Sequence, residues 1–94
     1  MKWEIIYHKE FVNDLESIGP SNARRIMKAI DSKLTKNPVD FGKPLSGNLA
    51  SFRKLRVGDF RIVYQTQRTK IVVYVLAVGP RRDKEIYKEA LKRT

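Results

Sequence analysis

Gly58 and Asp59 stand between two strand-like runs, Phe52-Arg53-Lys54-Leu55-Arg56-Val57 and Phe60-Arg61-Ile62-Val63-Tyr64. A two-residue connection with glycine first is the preference of a type II′ hairpin, whose twist suits the strands it joins. So short a turn leaves one register: Val57 opposite Phe60, Arg56 opposite Arg61, Leu55 opposite Ile62 and Lys54 opposite Val63. Successive side chains alternate across a sheet. Leu55, Val57, Phe60, Ile62 and Tyr64 therefore share one face, with Arg53 at its rim, and need a core. Lys54, Arg56 and Arg61 share the other, with Phe52 and Val63 beside them.

The rest of the chain supplies what that hairpin needs. Trp3, Ile5 and Tyr7 alternate and read as a short strand. Phe11, Val12, Leu15 and Ile18 recur at helical spacing; Gly19 stops that helix, and Pro20 suits the first turn of a second. Ala23, Ile26, Met27, Ile30 and Leu34 form its apolar stripe, with Arg24, Arg25, Lys28 and Asp31 facing outward. Asn37 to Ala50, with Pro38, Gly42, Pro44 and Gly47, reads as a loop. Ile71 to Val78 is apolar on both faces, as in a central strand that Gly79-Pro80 ends. The tail from Arg81 is helical, with Ile86, Tyr87, Ala90 and Leu91 able to pack. The expectation is one α+β domain over residues 1–94, ordered β-α-α-β-β-β-α. Its sheet is mostly antiparallel, with a helical hairpin over residues 9–36 on one face.

Charge is segregated. Residues 1–40 hold 7 basic and 6 acidic residues, whereas residues 41–94 hold 13 basic and 4 acidic. Solubility alone needs no such asymmetry, so a polyanion partner is expected. Arginines directly opposite on a ladder destabilise it by up to roughly 1 kcal/mol. Either the pair splays into solvent or an anion sits between, and the third cation, Lys54, favours a phosphate. Arginine offers a fork that matches phosphate oxygens; lysine is a point charge.

Other chemistries find little support. Without cysteine there is no disulfide or thiolate metal site. The acidic residues show no ligand clustering, so neither a metal nor a small-molecule cofactor is implied. His8 is alone, which argues against a zinc site or a histidine pair, and reads as a strand-end residue. No long apolar run or signal-peptide core is present, so the expectation is a soluble, cytoplasmic protein with no membrane partner.

Leu55-Arg56-Val57-Gly58-Asp59-Phe60-Arg61-Ile62-Val63-Tyr64, then Val75-Leu76-Ala77-Val78-Gly79-Pro80-Arg81-Arg82 and Ile86-Tyr87, resemble the RelE/ParE toxin superfamily across nearly the whole chain. The resemblance implies a type II toxin and a small RelB-like antitoxin as partner. For the RelE branch it implies a ribosome-dependent endoribonuclease that cuts mRNA in the A site. The alternative is the ParE branch, which inhibits DNA gyrase without catalysis. Carried over by position, the resemblance assigns catalysis to Lys54, Arg56, Arg61, Arg81 and Tyr87. Pro80 departs from the polar or basic residue common there, and no histidine is in the site.

The implied reaction is attack of a 2′-hydroxyl on its own phosphate, leaving a 2′,3′-cyclic phosphate and a 5′-hydroxyl. It needs a base, stabilisation of phosphate charge and an acid. Lys54, flanked by Arg56 and Arg61, is the candidate base, and those arginines would hold the non-bridging oxygens. Arg81 would serve the leaving oxygen, and Tyr87 would stack on or orient a nucleobase. Tyr87 equally fits a core stripe with Ala90 and Leu91. The alternative for Arg81 is that it merely opens a helix, although a cation at that end opposes the dipole. Arg82, Phe52 and Arg53 are the expected contacts to mRNA or ribosomal RNA. Phe52 is the one aromatic expected to be exposed on that sheet face.

Overall fold

The computed structural model describes residues 2–94. Strand β1 (Glu4–Tyr7) leads into helices α1 (Phe11–Ile18) and α2 (Pro20–Ala29), the latter prolonged by a π-helical turn at Ile30–Leu34. Gly19 separates the helices at φ 89°, in a region few other residues tolerate, and Pro20 opens α2. Helix α3 (Pro38–Phe41), strand β2 (Lys43–Pro44) and a 3-10 turn (Gly47–Leu49) follow. Strands β3 (Arg53–Val57), β4 (Phe60–Gln67) and β5 (Val72–Pro80) then precede helix α4 (Glu85–Lys92).

The five strands form one mixed sheet in the order β1-β5-β4-β3-β2, with β1 parallel to β5 and every other pair antiparallel. The β3–β4 hairpin has the register its turn demands: Arg56 faces Arg61, Lys54 faces Val63 and Val57 faces Phe60. Gly58 has φ 59° while Asp59 does not share it, as a type II′ turn requires. A bulge at Val63/Tyr64 offsets β4 against β5.

Both faces of the sheet are covered. Phe11, Ile26, Ile30 and Leu34 from the helical hairpin pack on Leu55, Ile62, Tyr64, Val73 and Val75. On the other face, Ile86 and Ala90 of α4 pack on Phe52, Val63, Leu76 and Ala77.

Three expectations need correction. The stretch from Asn37 to Ala50 is not simply a loop, because buried side chains fix it. Tyr64 donates its hydroxyl to Pro38 O at 2.6 Å, and Arg53 Nη2 donates to Val39 O at 2.5 Å and Gly42 O at 2.6 Å. Burial pushes the Tyr64 phenol above its ordinary pKa, partly offset by Arg53. Next, β5 starts at Val72, because Ile71 turns the chain at φ 56°, and it runs through Gly79-Pro80 rather than ending before them. Proline is tolerated there because its nitrogen, like that of Val78, faces the side of β5 away from β4, where no ladder bond is made. Finally, the tail becomes helical at Glu85, not Arg81. Asp83 N bonds Pro80 O at 3.0 Å, and Asp83 Oδ1 accepts the Glu85 amide at 3.0 Å, so residues 81–84 are a turn.

Beyond His8, whose amide bonds Val75 O, β5 has no strand neighbour on its β1 side. Side chains fill the gap. Asp14 Oδ2 of α1 accepts the Val78 amide at 3.1 Å, and Arg93, just past α4, donates to Leu76 O at 2.8 Å. The two side chains pair at 2.7 Å, with 11% and 17% of their surfaces exposed. Arg93 is held above its ordinary pKa, first by its hydrogen bond to Asp14, against the opposing effect of burial. This bridge ties the helices on opposite faces to one strand edge.

Gly42 is required for room. A β-carbon there would overlap the Tyr64 hydroxyl, which is itself fully buried and bonded. Gly42→Ala should therefore destabilise the fold by about 2 kcal/mol, the usual range for overpacking. It should lower the urea midpoint at unchanged slope. An unaltered midpoint would mean that the Tyr64 ring can move freely.

Candidate functional site

The hairpin places Arg56 and Arg61 side by side on the sheet face that α4 partly covers, and the two guanidinium groups part. Arg56 Nε donates to Gly58 O at 3.2 Å and stays exposed. Arg61 extends to α4, where Nη1 donates to the Tyr87 hydroxyl and the guanidinium lies 5.7 Å from the ring centroid. Arg61 Nε is buried with no partner. Arg53 Nε, on the opposite face, is buried without a partner in the same way. Tyr87 takes the core position its helical stripe allows, its ring packing beside the Phe52–Ile86 cluster, and its oxygen accepts from Arg61.

Lys54 lies on the same face, and the pairing of β2 with β3 sets Lys43 directly opposite it. Phe41, at the end of α3 and 46% exposed, completes a groove of about 320 Å³ with Lys43, Lys54, Leu55, Arg56 and Arg61. Among the described residues, none of these four cations is within ion-pair distance of a carboxylate. A groove lined by one sign of charge focuses its field on a ligand of the other.

Arg81 approaches from the far end of the hairpin. Its amide donates to Asp59 O at 2.9 Å. Gly79 faces Arg61 in the ladder, and a β-carbon on Gly79 would point at Ile86 of α4. By alternation Arg81, two residues on, continues on the same side. Because it precedes the helix, the dipole cost expected of it does not arise. Its guanidinium makes no hydrogen bond or ion pair among the described residues. Arg81 and the exposed Arg82 line a second depression of about 360 Å³ with Asp59 and Pro80.

Two residues expected to touch RNA are placed otherwise. Phe52 is 2% exposed, because α4 lies over it and makes it part of the second core. Arg53 points to the opposite face and spends its guanidinium on the carbonyls of Val39 and Gly42. The exposed aromatic at the groove is Phe41, and the additional cation is Lys43. Neither was singled out from sequence, because both lie in the segment read as a loop. The one available hint was the 42–44 Gly-Lys-Pro run, which proline confines to a sheet edge. No three His, Cys, Asp or Glu side chains gather into a possible metal site among the described residues.

Fold and groove define a small mixed-sheet protein that gathers unpaired cations on one face beside a tyrosine held by Arg61. Residues 5–85 match the family model of the ParE toxin of type II toxin-antitoxin systems, parDE. The chain is 50% identical over 94 residues to the mRNA interferase toxin RelE of Escherichia coli strain K12, covering 99% of this chain and 98% of that one. A variant of the E. coli toxin RelE in its free state superposes with TM-score 0.78 and 25% identity, covering 99% of this chain and 98% of that chain. The RelBE2 toxin-antitoxin complex of Mycobacterium tuberculosis contains a chain that superposes with TM-score 0.81 and 24% identity, covering 88% and 95%. The superposition onto the E. coli toxin pairs residues at half the identity of the sequence alignment. Membership therefore rests on the family model and on full-length coverage, which both alignments share. The chain belongs to the RelE/ParE superfamily of type II toxins.

Proposed function

We propose that this chain is the mRNA interferase of a type II toxin-antitoxin pair, acting in the cytoplasm on mRNA held in the ribosomal A site. The observation that carries the reading is the Arg61–Tyr87 unit, set beside Lys54 and Arg56 in a groove without a paired carboxylate. The mRNA interferase name of the full-length E. coli relative supports the same chemistry.

In this reading, the phosphate to be cut lies over Arg61 and Arg56. Arg61 turns the outer edge of its guanidinium to a non-bridging oxygen, while Nη1 keeps Tyr87 in place. Lys54 takes the 2′-hydroxyl proton as that oxygen attacks phosphorus in line. The P–O5′ bond then breaks to leave a 2′,3′-cyclic phosphate, and the departing O5′ takes a proton from water to become the 5′-hydroxyl. Arg81 neutralises charge on the leaving oxygen, since arginine seldom gives up a proton. Tyr87 accepts a hydrogen bond from Arg61, so its own hydroxyl proton is free to donate into the groove. Charge stabilisation by fixed donors supplies most of the rate.

An antitoxin is the natural partner of such a toxin. The archaeal RelE of Pyrococcus horikoshii, 26% identical by superposition at TM-score 0.68, was solved in complex with RelB. A RelB-like chain would cover the basic half of this protein, and ribosomal RNA and mRNA are its other proposed partners.

Primer extension on programmed ribosomes provides the test. Added protein should produce new 5′ ends within the A-site codon. Uncut mRNA together with inhibited gyrase supercoiling would instead favour the non-enzymatic reading that the ParE family model also admits.

A further inference from the structure

The groove extends past the cation cluster to Phe41, and its walls there are unusually well fixed. Helix α3 has only four residues and would fray in isolation. Yet three carbonyls around Phe41 are held by side chains reaching from the sheet. Tyr64 holds Pro38 O, and Arg53 holds both Val39 O and Gly42 O. The tether leaves the Phe41 ring 46% exposed. Lys33 Nζ lies over the ring, 5.6 Å from its centroid, and the groove containing Lys43 and Lys54 adjoins it.

An exposed phenylalanine on a rigid support beside unpaired cations matches the parts of a single-stranded nucleic-acid subsite. Such sites combine a flat ring on which a base stacks with positive charge that follows the backbone. Lys43, facing Lys54 across the β2–β3 ladder, is placed for the phosphate that follows the base.

We propose that Phe41 and Lys43 form a nucleotide subsite next to the phosphate to be cut: the base stacks on Phe41 and its outer phosphate meets Lys43. The inference rests on the RNA-cleaving reading of the groove, and it adds a positioning contact that Arg61 and Tyr87 do not supply.

The test uses RNA trinucleotides carrying 2-aminopurine at each position in turn, with a 2′-O-methyl group at the cleavable site. Wild-type protein should quench 2-aminopurine at one position. Phe41→Leu, which keeps an apolar side chain but removes the ring, should abolish the quench and weaken binding about 10-fold or more, as loss of a stacked base does. Phe41→Trp should restore both. Lys43→Gln should reduce the salt dependence of binding by about one phosphate contact. Absence of quenching in the wild type, or equal quenching in Phe41→Leu, would overturn the subsite. It would also be overturned if Phe41→Leu weakened only antitoxin binding. The readout needs no cleavage, so quenching by a protein that leaves A-site mRNA intact would uphold the subsite while removing the nuclease reading.

Discussion

Arg61→Ala should lower single-turnover cleavage of mRNA on programmed ribosomes by roughly 100-fold or more, the usual cost of removing one fixed donor to developing charge (about 3–4 kcal/mol). Arg61 contributes in two ways, through its unpaired charge in the groove and through its bond to Tyr87. Ribosome binding should fall far less, because many other cations share the electrostatic attraction. Stability should change by less than about 1 kcal/mol, since losing the Tyr87 bond is offset by relief of the facing Arg56. Arg68→Ala is the control: it is exposed in the β4–β5 turn, outside the groove, and cleavage should survive. If Arg61→Ala cut mRNA at the wild-type rate, the groove would not be the site of chemistry.

Arg93→Met should cost about 3 kcal/mol of stability. Removing one member of a nearly buried ion pair leaves its partner uncompensated, and here Leu76 O loses its donor as well. The loss should exceed that of severing the exposed pair Lys88–Glu85, for which little or no effect is expected. Combining Arg93→Met with Asp14→Leu should cost less than the two single losses added together, because no stranded carboxylate remains, although the Val78 amide loses its acceptor. A double-mutant cycle in urea measures that coupling. Purely additive losses would mean that the two side chains act independently of each other.

The β3–β4 hairpin was legible because a two-residue turn with glycine first admits one pairing, and from that pairing came the juxtaposition of Arg56 and Arg61. The helical hairpin followed from its apolar stripes and from Gly19-Pro20. Alternation says which face a residue occupies, but not what covers that face. Phe52 and Lys54 share a side of the sheet, yet α4 buries the first and spares the second. Where α4 settles depends on contacts from Asp14 and Leu76, distant in sequence. The 37–50 segment was illegible for a related reason. Its structure is imposed by Arg53 and Tyr64, and no local periodicity announces a tether from elsewhere.

The parallel pairing of β1 with β5 bears on when the chain can fold during synthesis. Glu4 to Tyr7 find their ladder partners only in Val72 to Val75, and the open edge beyond them is closed by Arg93, just past α4. Contacts between opposite ends of a chain form late, after the entropy of a long closure has been met. β1 therefore stays without its ladder partners until β5 has been made, and the sheet's open edge is closed only once α4 and Arg93 have followed.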